Sequence, residues 1–151
     1  MKLETQKRER RTMKISIGSD HRGFSLKQKI IESLPAIEWT DVGAASDERT
    51  DYPIYSKKVC ENILSGQVKL GILICGSGVG MTIAANRHRG IYAANCWTTE
   101  VAELARQDDG VNVLVLPADF VSMPKALEII KSWLGAEFKG GRYQDRLTMM
   151  D

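Results

Sequence analysis

The chain has 151 residues, enough for one domain with a real core, and its 43% hydrophobic and 26% charged content is ordinary for a globular protein. No apolar run approaches the roughly 20 residues that span a bilayer, and no apolar signal core opens the chain, so no membrane partner is expected and the expected location is cytoplasmic. The net charge of +2 resides in the first twelve residues, MKLETQKRERRT, whose five basic and two acidic side chains leave the remainder close to neutral. Residues 1–12 are therefore expected to form a basic, disordered extension, or to precede a true start at Met13, with the folded domain over 13–151. No aromatic residue interleaves these charges and no basic face follows them, so no nucleic-acid partner is expected.

Strands and helices alternate from there on. KISIGSD (14–20) reads as a strand ending in a polar loop. GFSLKQKIIESL (23–34) has Phe24, Leu26, Ile30, Ile31 and Leu34 at helical spacing, and Pro35 ends it. IEWTDVG (37–43) alternates like a short strand, a polar loop follows, and Pro53 suits the first turn of a helix running to about Leu64. KLGILIC (69–75) is a continuous apolar run, as expected for a central parallel strand. A helix over 79–87, a strand over 90–96, a Thr-capped helix over 98–107, a strand over 111–117 and a helix over 123–135 closed by Gly135 complete the series. The tail EFKGGRYQDRLTMMD reads as a turn and a short helix.

Five strands alternating with helices predict a three-layer α/β/α sandwich around a Rossmann-like parallel sheet. Ligands of such sheets bind beyond the carboxyl ends of the strands. That rule collects the loops Ser19–Arg22, Gly43–Tyr52, Cys75–Gly80, Cys96–Thr99 and Pro117–Asp119.

The loop after the third strand, CGSGVG, is the most informative. Gly76, Gly78 and Gly80 remove side chains and let backbone N–H groups turn inward, and a helix start near Val79 adds its positive end. A thiol there is expected to have a lowered pKa and to serve as base or nucleophile beside an oxyanion hole. The competing reading is a buried cysteine ending a strand before a tight turn. A P-loop requires a lysine that is absent, the dinucleotide fingerprint G-x-G-x-x-G is not matched, and a cysteine phosphatase would want an arginine where Met81 stands. Three cysteines without CxxC spacing give no disulfide framework, and two scattered histidines give no zinc site, so no metal is expected.

Two other loops carry chemistry. SDHRG brings Asp20, His21 and Arg22 to a strand end, either as a helix-capping turn or as substrate contacts. Arg142 and Arg146, spaced i, i+4, share a helix face, either as a solvated basic surface or as a phosphate clamp.

Taken together, IGSDHRGFSLK, ERTDYP, GILICGSGVGMTIAANR, the NVL strand and WLGAEFKGGRYQDR make the chain resemble the ribose-5-phosphate isomerase B family, with the related galactose-6-phosphate isomerase subunits. The resemblance implies an aldose–ketose isomerase of a small phosphosugar, of the ribose 5-phosphate/ribulose 5-phosphate type, with no cofactor. It implies Cys75 as the base that moves a proton between C1 and C2 through an enediolate, with Ser77 where the family often has threonine. It also implies an anion hole of backbone amides over Gly76, Ser77, Gly78, Val79 and Gly80. Asp20 and His21 match substrate-hydroxyl and phosphate contacts, Tyr52 a tyrosine lining the pocket, and Arg142 and Arg146 the phosphate-binding arginines. A homodimer or dimer of dimers with shared active sites is implied as well, its C-terminal segment reaching the neighbouring subunit.

One segment departs from that pattern. The family usually carries a His-Asn pair before the fifth strand, the histidine being assigned to opening the furanose ring; here ARQDDGVNVL has Asp108 and Asp109 in those places. Tyr143 likewise stands where many relatives have histidine. Asp108 then either takes the acid–base role, or the substrate needs no ring opening, as for a tetrose 4-phosphate, or the chain is a non-catalytic sugar-phosphate-binding subunit. Asp109 is grouped with the substrate contacts.

Overall fold

Along the interior strands successive side chains alternate between two apolar faces, and that alternation sets the layers. In the computed structural model, which describes residues 12–151, the strands are β1 (Lys14–Ser19), β2 (Glu38–Asp41), β3 (Leu70–Cys75), β4 (Ala93–Asn95) and β5 (Val113–Pro117). The helices are α1 (Phe24–Ser33), α2 (Tyr52–Leu64), α3 (Val79–Asn86), α4 (Thr99–Asp109), α5 (Met123–Gly135) and α6 (Arg142–Met150). All pairings are parallel, in the order β2-β1-β3-β5-β4. Residues 1–11, most of the basic extension, lie outside the described residues.

Ile72 and Ile74 of β3, with Leu114 and Leu116 of β5, face a core completed by Leu26 and Ile30 of α1, Ala102 and Ala105 of α4, and Ile129, Ile130 and Trp133 of α5. Leu73, Cys75, Val113 and Val115 face the opposite way, onto Val59 and Cys60 of α2 and Met81 and Ala85 of α3. Each fully buried Ile or Leu contributes on the order of 1.5–3 kcal/mol. Trp133 satisfies its one polar group by donating its indole N–H to the Val111 carbonyl at 3.1 Å. The expected α/β/α sandwich is what forms.

Boundaries shift by up to three residues along the chain, and three of the shifts have a clear local cause. β4 has three residues rather than seven, because Gly90 sits at φ +88° and the Tyr92 N–H goes to the Asn112 side chain instead of a strand partner. β2 stops at Asp41, whose carboxylate accepts the Gly43 N–H and starts a turn. α4 runs two residues further, to Asp109, ending where Gly110 adopts φ +58°. The Asp108–Asp109 pair therefore lies on the last turn of a helix rather than in a connection.

β1 has β2 on one side and β3 on the other, so the chain reverses direction across the sheet there. A crevice opens between the carboxyl ends of β1 and β3, as such a reversal requires.

Candidate active site

Cys75 is the last residue of β3, and the crevice is built around it. Its walls are Asp20, Arg22, Tyr52, Cys75, Gly76, Ser77, Gly80, Asp119 and Phe120, enclosing about 360 Å³. The sulfur is nearly buried, with the residue 5% exposed, yet it reaches this cavity. Burial pushes its thiol pKa up; the backbone N–H groups of Met81, Gly78 and Ser77 pull it down, and the neighbouring Asp20 carboxylate adds to the upward push. The net direction is upward, which corrects the expectation of a lowered pKa: desolvation outweighs the amide field in this chain. Cys60 and Cys96 lack that nest of amides, and burial takes them to about 11 and about 12.

The three glycines of the loop have three different neighbours. A Cβ on Gly76 would stand 2.8 Å from both Arg22 Nε and Asp119 Oδ2. Gly80 carries the Tyr52 ring, whose Cζ would stand 2.6 Å from a Cβ. Gly78 adopts φ +78° and lies against the Asn95 side chain, which donates from Nδ2 to the Ser77 carbonyl at 2.9 Å. The Val79 N–H is taken by Ser77 Oγ at 3.2 Å, so that amide is occupied within the loop. Val79 itself is 54% exposed, outside the cavity wall.

The loop after β1 forms the helix-capping turn read from its sequence and also brings a carboxylate to the cavity. Asp20 Oδ1 accepts the N–H groups of Arg22 at 2.9 Å and Gly23 at 3.1 Å, a turn that starts α1, and the same carboxylate lines the cavity. The Arg22 guanidinium pairs with Asp119 from the loop after β5. His21 Nδ1 lies 3.2 Å from both the amide nitrogen and the carbonyl oxygen of Thr50. It ties the loop carrying Tyr52 to β1 and is not among the residues lining the cavity.

The remaining candidates gather elsewhere. Asp108 accepts from Lys139 Nζ at 3.0 Å, and that bond holds the Lys139 amine above its ordinary range. Lys139, Arg142 and Arg146 stand 5.2, 5.1 and 5.4 Å from the centroid of the Tyr143 ring. Arg142 also donates to the Tyr143 hydroxyl at 3.2 Å and lowers its pKa. Asp109 borders a separate cavity of about 520 Å³, with Arg87, His88, Arg89 and Tyr92. Asp108 and Asp109 lie before the amino end of β5, because α4 runs antiparallel to the strands, and Lys139 and α6 are held at that end by the Lys139 N–H on the Gln107 carbonyl and by Leu147 against Gly110. β5 alone, at about 3.3 Å per residue, sets the two groups more than about 13 Å apart. Within one chain, then, Asp20, Tyr52, Cys75 and the glycine loop come together, while Asp108, Asp109, Arg142 and Arg146 form a second group at the other end of the sheet.

Asn95, Phe120 and Lys139 were not singled out from sequence. Asn95 ends a strand, and a polar residue at a carboxyl end was the signal available for it. Lys139 had no such signal, since its partner Asp108 is 31 residues away in the chain.

The ribose/galactose isomerase family model matches residues 15–150. The chain is 45% identical to ribose-5-phosphate isomerase B of Escherichia coli over 89% of this chain and 91% of that one. A ribose 5-phosphate isomerase from Thermotoga maritima superposes with a TM-score of 0.91 at 45% identity, covering 93% of this chain and 99% of that one. The Mycoplasma genitalium ribose-5-phosphate isomerase B, solved with bound ribulose 5-phosphate, superposes at 0.86 and 39% identity, covering 91% and 93%. With a cysteine seated among loop amides at the sheet's reversal point and relatives matched along almost its whole length, this chain belongs to the ribose/galactose isomerase family and is an aldose–ketose isomerase of sugar phosphates.

Proposed function

We propose that the chain interconverts ribose 5-phosphate and ribulose 5-phosphate, with Cys75 as the base. The observation that carries this reading is the Cys75 sulfur, which faces the N–H groups of Met81, Gly78 and Ser77 while bordering an open cavity with Asp20 and Tyr52. The Cys75 thiolate removes the proton from C2 of the open-chain aldose, and the electron pair moves onto the carbonyl oxygen to give an enediolate. Loop amides other than the Val79 N–H, which Ser77 Oγ holds, take the charge developing on that oxygen, worth several kcal/mol in such holes, about 2.7–4 per donor. Return of the proton to C1, with transfer of the hydroxyl proton from O2 to O1, completes the ketose. Ser77, beside the cavity, serves that oxygen-to-oxygen transfer, and Asp20 orients the substrate hydroxyls.

Arg142 and Arg146 act from a second copy of the chain, gripping the phosphate. The separation of the two residue groups supports this, as do the exposed apolar side chains Ile54, Val79, Ile83 and Trp97, which are 48–56% exposed. His21 braces the Tyr52 loop, and Asp109, at the end of α4 next to Asp108, contacts the substrate from that same second copy. The test is solvent deuterium exchange at C2 of the substrate: Cys75→Ala abolishes it, and full exchange in that variant rejects Cys75 as the base.

A second reading is favoured by Asp108, which is held by Lys139 in the place where the family resemblance implies a ring-opening histidine. A tetrose 4-phosphate, whose O4 is blocked, never closes a furanose ring and needs no such group. A panel of tetrose, pentose and hexose phosphates decides between them. Asp108→His is expected to raise turnover of ribose 5-phosphate if ring opening limits the rate, and no gain counts against that account.

A further inference from the structure

The Arg22–Asp119 pair is not used by the chemistry above, and it sits on the wall of the Cys75 cavity. It joins residues 97 apart in sequence, from the loops after β1 and β5. Both side chains are packed over Gly76, the residue next to the reacting cysteine. Among the residues that line this cavity Arg22 is the one cation; two carboxylates, Asp20 and Asp119, line it as well, and the guanidinium pairs with Asp119. Asp20 already spends one oxygen on two backbone N–H groups. Asp119 has no such internal duty besides Arg22; its side chain is 36% exposed and that of Arg22 59%. An ion pair this open to water is weak, and a dianion presenting three oxygens to the same planar fork displaces a carboxylate readily.

We propose that Arg22 is an anion-recognising residue of the Cys75 half of the site, and that Asp119 occupies its guanidinium until the phosphate of the substrate displaces it. A neutral sugar lacks the charge to displace Asp119, so the pair selects phosphorylated substrates. The ligand's identity rests on the sugar-phosphate reading given above; the binding chemistry does not.

The test is calorimetric titration of the full chain with inorganic phosphate, which needs no turnover, alongside the KM for ribose 5-phosphate. Arg22→Gln is expected to weaken phosphate binding about tenfold or more, the scale of a lost charged hydrogen bond, with a parallel rise in KM. Asp119→Asn is expected to tighten phosphate binding severalfold, and only while Arg22 is present. In the Arg22→Gln background the Asp119→Asn change leaves binding unmoved. Three results overturn the proposal: unchanged phosphate affinity in Arg22→Gln, weaker binding in Asp119→Asn, or equal tightening by Asp119→Asn with and without Arg22. That last outcome would make Asp119 a source of simple repulsion. If the unaltered chain turns over no sugar phosphate, the isomerase assignment fails by itself, and the phosphate titration still decides on Arg22.

Discussion

A methyl group at residue 78 would be driven into the Asn95 side chain, on a backbone at φ +78°. Gly78→Ala therefore meets both a conformational and a steric penalty, of about 1–3 kcal/mol together. Because Gly78 is also one of the three N–H donors facing Cys75, the expected result is a stability loss in denaturant titration joined to at least a tenfold fall in C2 exchange. With Cys75 as the proposed base, a pH dependence follows from the direction of its shift. Burial and then the Asp20 charge hold the Cys75 thiol above its ordinary value, so on that proposal the thiolate, and with it kcat/KM, is expected to grow as pH rises toward and through that raised value. Asp20→Asn keeps the capping oxygen but removes the like charge. The rising limb of its kcat/KM profile is expected to move to lower pH, and an unmoved limb would separate that limb from Cys75.

Between α1 and β2 a lysine is buried to hold the edge of the sheet. Lys27 Nζ reaches both oxygens of Asp41 at 2.8 Å, with the lysine side chain 1% exposed and Asp41 37%. Asp41 in turn accepts the Gly43 N–H, at the start of the loop that leads to Thr50, the partner of His21, and to Tyr52. A fully buried pair broken on one side costs about 3–5 kcal/mol, and the partial exposure of Asp41 reduces this. Asp41→Asn is expected to cost about 2 kcal/mol, lowering Tm by about 5 °C. The double variant Lys27→Met/Asp41→Asn is expected to regain part of that loss, since an apolar chain fills the same space without a charge to satisfy. Thermal melts of the two variants check both statements.

If each working site takes Cys75 from one copy and the arginine pair from another, two inactive chains can restore each other. Cys75→Ala mixed after unfolding and refolding with Arg142→Ala/Arg146→Ala is expected to recover about a quarter of normal turnover, since half the dimers are mixed and each has one intact site. No recovery, in chains that assemble normally, would put the whole site within one copy. The buried thiols give the fold an alkaline limit as well. Cys60 and Cys96 are raised to about 11 and about 12 from an ordinary 9.0, so keeping them neutral stabilises the fold fully below the unfolded value. That contribution is lost as pH rises from about 9 through the folded values. Denaturation midpoints measured across this range should fall with pH, and less steeply in Cys96→Ala.

What the sequence determined by itself was local and periodic. Ile72 and Ile74 against Leu73 and Cys75 mark a strand buried on both faces, and the CGSGVG spacing marks amides turned toward a thiol. Strand endings then select the loops that hold Asp20 and Tyr52. These signals survive because they depend on neighbours two to four residues apart. The tertiary structure alone decided that β5 lies inside β4, that Asn95 and the Arg22–Asp119 pair brace the glycine loop, and that the acid pair and the arginines stand at the opposite end of the sheet from Cys75. It also reversed the direction of the thiol's pKa. Each of these turns on packing between segments from 18 to 97 residues apart, and on how much water that packing removes around the sulfur, quantities that no local pattern of side chains encodes.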